Sequence, residues 1–194
     1  MADDTAALTA SWDSIVDILT RNGIDMTPTS SDDGVLREWY DESSAADPAV
    51  RFWFARQCWR CTTLFPSTAT LDPARSVDIS RLWVQVEQGS DYEPESSDAD
   101  QEDLAGGWAG TYDKRFVPIA DQDGVTVIVD TRPGPRQGCV SEYKGAFIDE
   151  TDVRWSSLAE LFTELRTALT GNELFADRYT AAFRDGHLTW SVAG

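Results

Sequence analysis

Lysine, histidine and long apolar runs are what this chain has least of. Its 194 residues include two lysines, Lys114 and Lys144, and one histidine, His187. A Ser/His/Asp hydrolase would have to be built on His187, yet no Gly-x-Ser-x-Gly elbow occurs. Walker loops and dinucleotide-binding glycine patterns are missing as well. No apolar stretch approaches the roughly 20 residues that a membrane helix needs. Met1-Ala2-Asp3-Asp4 lacks the basic region and apolar run of a secretory signal. A cytoplasmic location without a membrane partner is therefore expected. Cysteine is sparse too, at Cys58, Cys61 and Cys139. Cys58-Trp59-Arg60-Cys61 is a C-x-x-C that, with Cys139 and His187, has the composition of a Cys3His zinc set. No second close ligand pair accompanies it, and no strand precedes it in a βαβ pattern. Reduced, buried thiols are the expectation, with no metal and no cofactor.

What is present in excess is negative charge. Thirty-four acidic against 16 basic residues give a net charge of -18. Such a chain repels phosphate backbones and anionic headgroups, so direct nucleic-acid binding is disfavoured. The same field attracts a basic protein and speeds its encounter. Two lysines among the basic residues, and aspartate about twice as common as glutamate, fit equally a G+C-rich or halophilic genome in which acidity serves solubility.

The acidity is not evenly spread. Between Arg81 and Lys114 there is no basic residue and nine acidic ones: Glu87, Asp91, Glu93, Glu95, Asp98, Asp100, Glu102, Asp103 and Asp113. The stretch from Ser90 to Gly110 is poor in apolar periodicity and predicts a long exposed loop or insertion. A solvated, self-repelling loop is one account of it. The other is a docking element for a basic partner, with Tyr92 and Trp108 as aromatic anchors.

The rest of the chain has readable periodicity. Trp12, Ile15, Val16 and Leu19 predict a helix over 8–21 that stops at Asn22-Gly23. Asp32 or Asp33 can cap a helix carrying Leu36, Trp39 and Tyr40. Pro48 suits the first position of a helix bearing Val50, Trp53, Phe54 and Trp59. A further helix is expected over 76–87, with Val77, Leu82, Trp83 and Val86, ended by Gly89. The period then changes from helix to strand. Phe116-Val117-Pro118-Ile119, Val125 to Val129 and Cys139 to Tyr143 predict an antiparallel meander. Asp121-Gln122-Asp123-Gly124 supplies its first turn, and Arg132-Pro133-Gly134-Pro135 interrupts its next connection. Leu158, Leu161, Phe162, Leu165 and Leu169 form one helical stripe capped by Ser156 or Ser157. Asp185-Gly186 marks a turn in a C-terminal hairpin or strand that carries His187. The expected architecture is one α+β domain over 1–194, its small antiparallel meander covered on one side by N-terminal helices and the C-terminal amphipathic helix.

From Trp108 onward, the order of these features resembles the SUKH superfamily, the Smi/Knr-type, cell-wall-assembly-regulator-like proteins. The resembling elements are the Phe116-Val117-Pro118-Ile119 strand, the Asp123-Gly124 turn, Val127-Ile128-Val129-Asp130, Gly138-Cys139-Val140, and the Ser156-Ser157-Leu158 start of the last helix. In the N-terminal half, Asp47 stands where the family has Leu in a Leu-Pro step, and Leu64-Phe65-Pro66 resembles the apolar run that often follows. The resemblance implies an α+β fold used for protein binding without catalytic residues, commonly as immunity to a secreted bacterial toxin. The partner it implies is a cognate protein toxin; the charge of the chain points to a basic one, of the nuclease kind. A monomer or homodimer is expected. An intracellular scaffold or regulator of the same fold is the alternative.

Overall fold

The computed structural model describes residues 2–30, 34–89, 104–145, 148 and 150–194. Helix α1 spans Ala2–Arg21 and starts six residues earlier than the apolar stripe predicts. Its end is fixed by Gly23 at φ 86, with Ile24 N–H donating to Leu19 O and Gly23 N–H to Thr20 O. That pair of bonds is a Schellman cap, which needs the left-handed conformation glycine takes freely. Helices α2 (Gly34–Trp39), α3 (Glu42–Ala46) and α4 (Pro48–Ala55) follow. The Asp32 and Asp33 caps expected for α2 lie outside the described residues. Asp47 closes the start of α4, accepting from Ala49 N at 2.9 Å, with Pro48 at the first helical position. Asp72 and Pro73 repeat this arrangement for α5 (Pro73–Gln88), which therefore begins three residues before Ser76. Trp59, expected on α4, sits instead in a separate 3₁₀ turn, Cys58–Arg60.

Five antiparallel strands form the main sheet in chain order: β1 (Ala69–Thr70), β2 (Phe116–Gln122), β3 (Val125–Asp130), β4 (Cys139–Tyr143) and β5 (Val153–Trp155). Gln122 pairs with Val125, so the first turn contracts to Asp123-Gly124, at φ 52 and 83. Both central residues at positive φ define the primed turn whose twist suits a two-residue hairpin. Helix α6 (Leu158–Leu169) is capped by Ser157, whose hydroxyl accepts from Glu160 N. A second hairpin, β6 (Tyr179–Arg184) and β7 (His187–Val192), closes the chain around Asp185-Gly186, again with both residues at positive φ.

One expectation is corrected: the sheet is covered on both faces. Val117, Ile119, Val127, Val129 and Val140 share a core with Trp12, Trp53, Phe162 and Leu165 of α1, α4 and α6. Phe116, Ile128 and Tyr143 point the other way, toward Tyr112, Ile148 and Trp83 of α5. Strand β3 reads Val-Thr-Val-Ile-Val, a near-continuous apolar run of the kind that strands buried on two sides carry. Among the described residues, no helix is long and apolar enough to cross a membrane.

Candidate interaction surface

The acid-only interval leaves the described fold at the end of α5 and rejoins it at Leu104. Its first foot is Glu87 in the last turn of α5, which accepts a hydrogen bond from Tyr143 Oη at 2.6 Å. Burial, and then the Glu87 carboxylate, hold the Tyr143 phenol protonated far above the ordinary tyrosine range. The second foot is the 106–108 segment. Gly106 N donates to Asp130 Oδ2 at 2.9 Å, while Arg132 donates to Gly107 O at 2.9 Å and Trp108 O at 3.2 Å. Tyr143 stands opposite Thr126 and Cys139 opposite Asp130, so the residues that hold the two feet lie at opposite ends of the β3–β4 pair. Four residue steps along β3 separate those ends by about 13 Å.

The second foot depends on a buried ion pair. Asp130 and Arg132 are both fully buried and meet at 2.8 Å, with Arg132 N and Nε also donating to the carboxylate. The guanidinium lies 4.9 Å from the Phe116 ring centroid. A pair so deep stabilises only because its remaining donors are matched by backbone oxygens. Its effect is to fix where the chain re-enters after the acidic stretch. In the sequence Arg132 reads as part of a turn; the signal for its role is a carboxylate and a guanidinium two residues apart at the end of an apolar strand.

A second convergence surrounds Trp39. The Arg81 guanidinium lies 4.9 Å and the Lys114 ammonium 4.2 Å from its ring, and Trp39 Nε1 donates to Ser80 Oγ at 3.0 Å. Arg81 and Lys114 are the two cations that bound the acid-only interval in sequence. The fold brings them to one indole.

Of the residues expected to meet a partner, Glu87 and Trp108 are described; Asp91, Tyr92, Glu93, Glu95, Asp98, Asp100, Glu102 and Asp103 lie outside the described residues. Trp108 is half-buried. Asp113, the last acid of the interval, is gripped by Arg115, whose Nε donates to it at 2.9 Å and whose Nη2 does so at 2.5 Å. Its charge is thereby paired within the fold.

The other singled-out residues are dispersed. All three cysteines are buried and free, and desolvation raises their thiols, that of Cys139 to about 11. Such thiols resist the deprotonation that metal binding and nucleophilic attack require. His187 is exposed at the start of β7. Asp121 accepts from Thr126 Oγ1, which accepts in turn from Trp83 Nε1. Among the described residues, no three His, Cys, Asp or Glu side chains gather where they could hold a metal. The described residues also form concavities. One, of about 610 Å³, lies between α2, α3 and α4. Another, of about 190 Å³, lies where Phe65, Trp155 and Phe175 meet the end of β3.

No family model matches this chain, and no curated protein matches it either.

Proposed function

We propose that this chain is a non-catalytic binding protein of the SUKH type that neutralises a basic bacterial toxin, of the nuclease kind, by stoichiometric occlusion. It acts in the cytoplasm as a monomer or homodimer. The observation that carries the reading is the acid-only interval, tied by Tyr143 at one foot and by the Asp130–Arg132 pair at the other. Each foot is bonded to a strand residue, Tyr143 or Asp130, so the acid-only interval is tied to the sheet at two defined points. A charge so placed steers a cationic partner and covers its phosphate-binding site. Further support comes from the family-like order of elements: an apolar-Pro-apolar strand, an Asp-Gly hairpin, a strand ending in Asp130 and a serine-capped last helix.

The test looks for a toxin domain encoded beside the gene and pairs the chain with it. Co-expression is expected to rescue growth, and one-to-one binding is expected to slow as salt rises. Replacing the acids from Asp91 to Asp103 with serine and glycine should slow association and flatten that salt dependence. Unchanged kinetics would remove the acidic interval from the interface. Failure to rescue, together with stable capture of a host protein, would favour the scaffold reading.

A further inference from the structure

The concavity between α2, α3 and α4 joins an apolar floor to a rim that carries two arginines. Its floor is the buried apolar side chains of Leu36, Val50 and Phe54. Its rim carries the exposed Arg37 and Arg51, with Glu42 as its single acid. Neither arginine makes a hydrogen bond or ion pair among the described residues, although acids outnumber bases more than two to one along the chain. Elsewhere Arg56, Arg115, Arg132 and Arg154 have each found a carboxylate. Arg37 and Arg51 approach the hollow from different helices and leave it a net positive rim.

We infer that this pocket binds a small apolar carboxylate, a molecule whose hydrocarbon or aryl body rests on Leu36, Val50 and Phe54 while its carboxylate meets Arg37 and Arg51. Three properties select that class. The volume of about 610 Å³ lies in the range of small-ligand sites, which are apolar with a few placed polar groups. Guanidinium groups match carboxylates in shape and donor geometry, and they remain charged at any physiological pH. Glu42 on the same rim disfavours dianions and leaves room for one negative charge. The inference uses none of the residues on which the toxin-binding proposal rests, so it stands or falls independently of that proposal.

Octanoate is the probe, with octanol and octyltrimethylammonium as comparators, titrated into the full chain by calorimetry and by chemical-shift changes of the α2 to α4 amides. Octanoate is expected to bind with one-to-one stoichiometry and to shift amides around Leu36 and Val50. The double variant Arg37→Gln/Arg51→Gln should weaken octanoate by about tenfold and leave octanol unchanged, because what is lost is a charge-assisted contact. Both arginines are exposed, so that variant keeps the fold, and its unfolding midpoint verifies it. Ala45→Phe, which places a ring in the hollow, should weaken octanoate binding several-fold while leaving the arginines in place. The inference is overturned by any of four results: no octanoate binding at millimolar concentration, equal binding of octanol, preference for octyltrimethylammonium, or indifference to the arginine substitutions. Preference for an acidic peptide over octanoate would likewise overturn the small-molecule assignment.

Discussion

The two faces of the sheet are held by different physics. On the face toward α1, α4 and α6, large side chains fill space: Phe162 lies 5.1 Å from Trp12, 6.1 Å from Phe52 and 6.3 Å from Trp53, centroid to centroid. On the face toward α5, a smaller aromatic group of Trp83, Tyr112, Phe116 and Tyr143 is stitched by directional bonds. Trp83 reaches Thr126, Tyr112 Oη donates to Phe116 O, Tyr143 reaches Glu87, and Ser76 Oγ donates to Pro118 O. Dispersion and hydrophobic burial are non-directional, so the first face supplies stability without fixing any one contact. Hydrogen bonds and a buried ion pair contribute less net stability but specify position. The stitched face is the one that carries both feet of the acidic interval.

Substitutions on each face press on this contrast. Phe162→Ala should cost about 4 kcal/mol in denaturant unfolding, through lost transfer energy and the cavity left among three rings. Asp130→Ala should cost about 3 kcal/mol by stranding Arg132 in the interior, and Asp130→Leu/Arg132→Met should recover most of it. Only the Asp130 change should speed amide exchange at Gly106 before global unfolding; equal exchange in Phe162→Ala would erase the distinction between the faces.

Tyr143→Phe removes one bond and should cost about 1 kcal/mol. It also tests pH dependence. Burial raises the phenols of Tyr112 and Tyr143, and it pushes Tyr40 up to about 12. A phenol kept protonated by folding contributes stability that is present below its ordinary value of 10.0 and lost as pH rises through its folded value. Stability should therefore fall from about pH 10 toward 12, less steeply in Tyr143→Phe, as followed by phenolate absorbance. Asp185→Asn, in the turn between β6 and β7 and away from both faces, should change stability by less than about 0.5 kcal/mol, since asparagine accepts the same positive φ.

The sheet-forming half was the most legible part of the chain, because β2, β3 and β4 are apolar runs punctuated by Asp-Gly and Pro-Gly. Strands β1 and β5 and helix α3 were missed. They are two, three and five residues long, too short for periodicity, and the two strands exist only through pairing with Ala120, Asp121, Val140 and Ser141. Helix α5 forms where its apolar residues predict, but those residues do not all face the core. Leu82 and Val86, expected to mark the buried face, are 51% and 47% exposed, while Ser76 and Ser80 are fully buried. A serine that finds a carbonyl or an indole partner can lie deep, and no hydropathy pattern reveals the partner in advance. The same holds for the surface feature. The charge run was plain in the sequence, but Trp39 and Arg132, which gather its flanks, act across contacts that only the fold creates.

The packing of Lys114 on Trp39 has a practical consequence. With two lysines in the chain, acylating reagents have few side-chain amines to find, and these two report different places. Lys144 sits in the Glu142–Asp152–Arg154 charge cluster beyond β4, whereas Lys114 rests on an indole beside the end of the acid-only interval. Lys144 follows Tyr143, whose hydroxyl bonds Glu87, so each amine stands beside one foot of the interval. Their two labelling rates then read, foot by foot, where a bound protein lies.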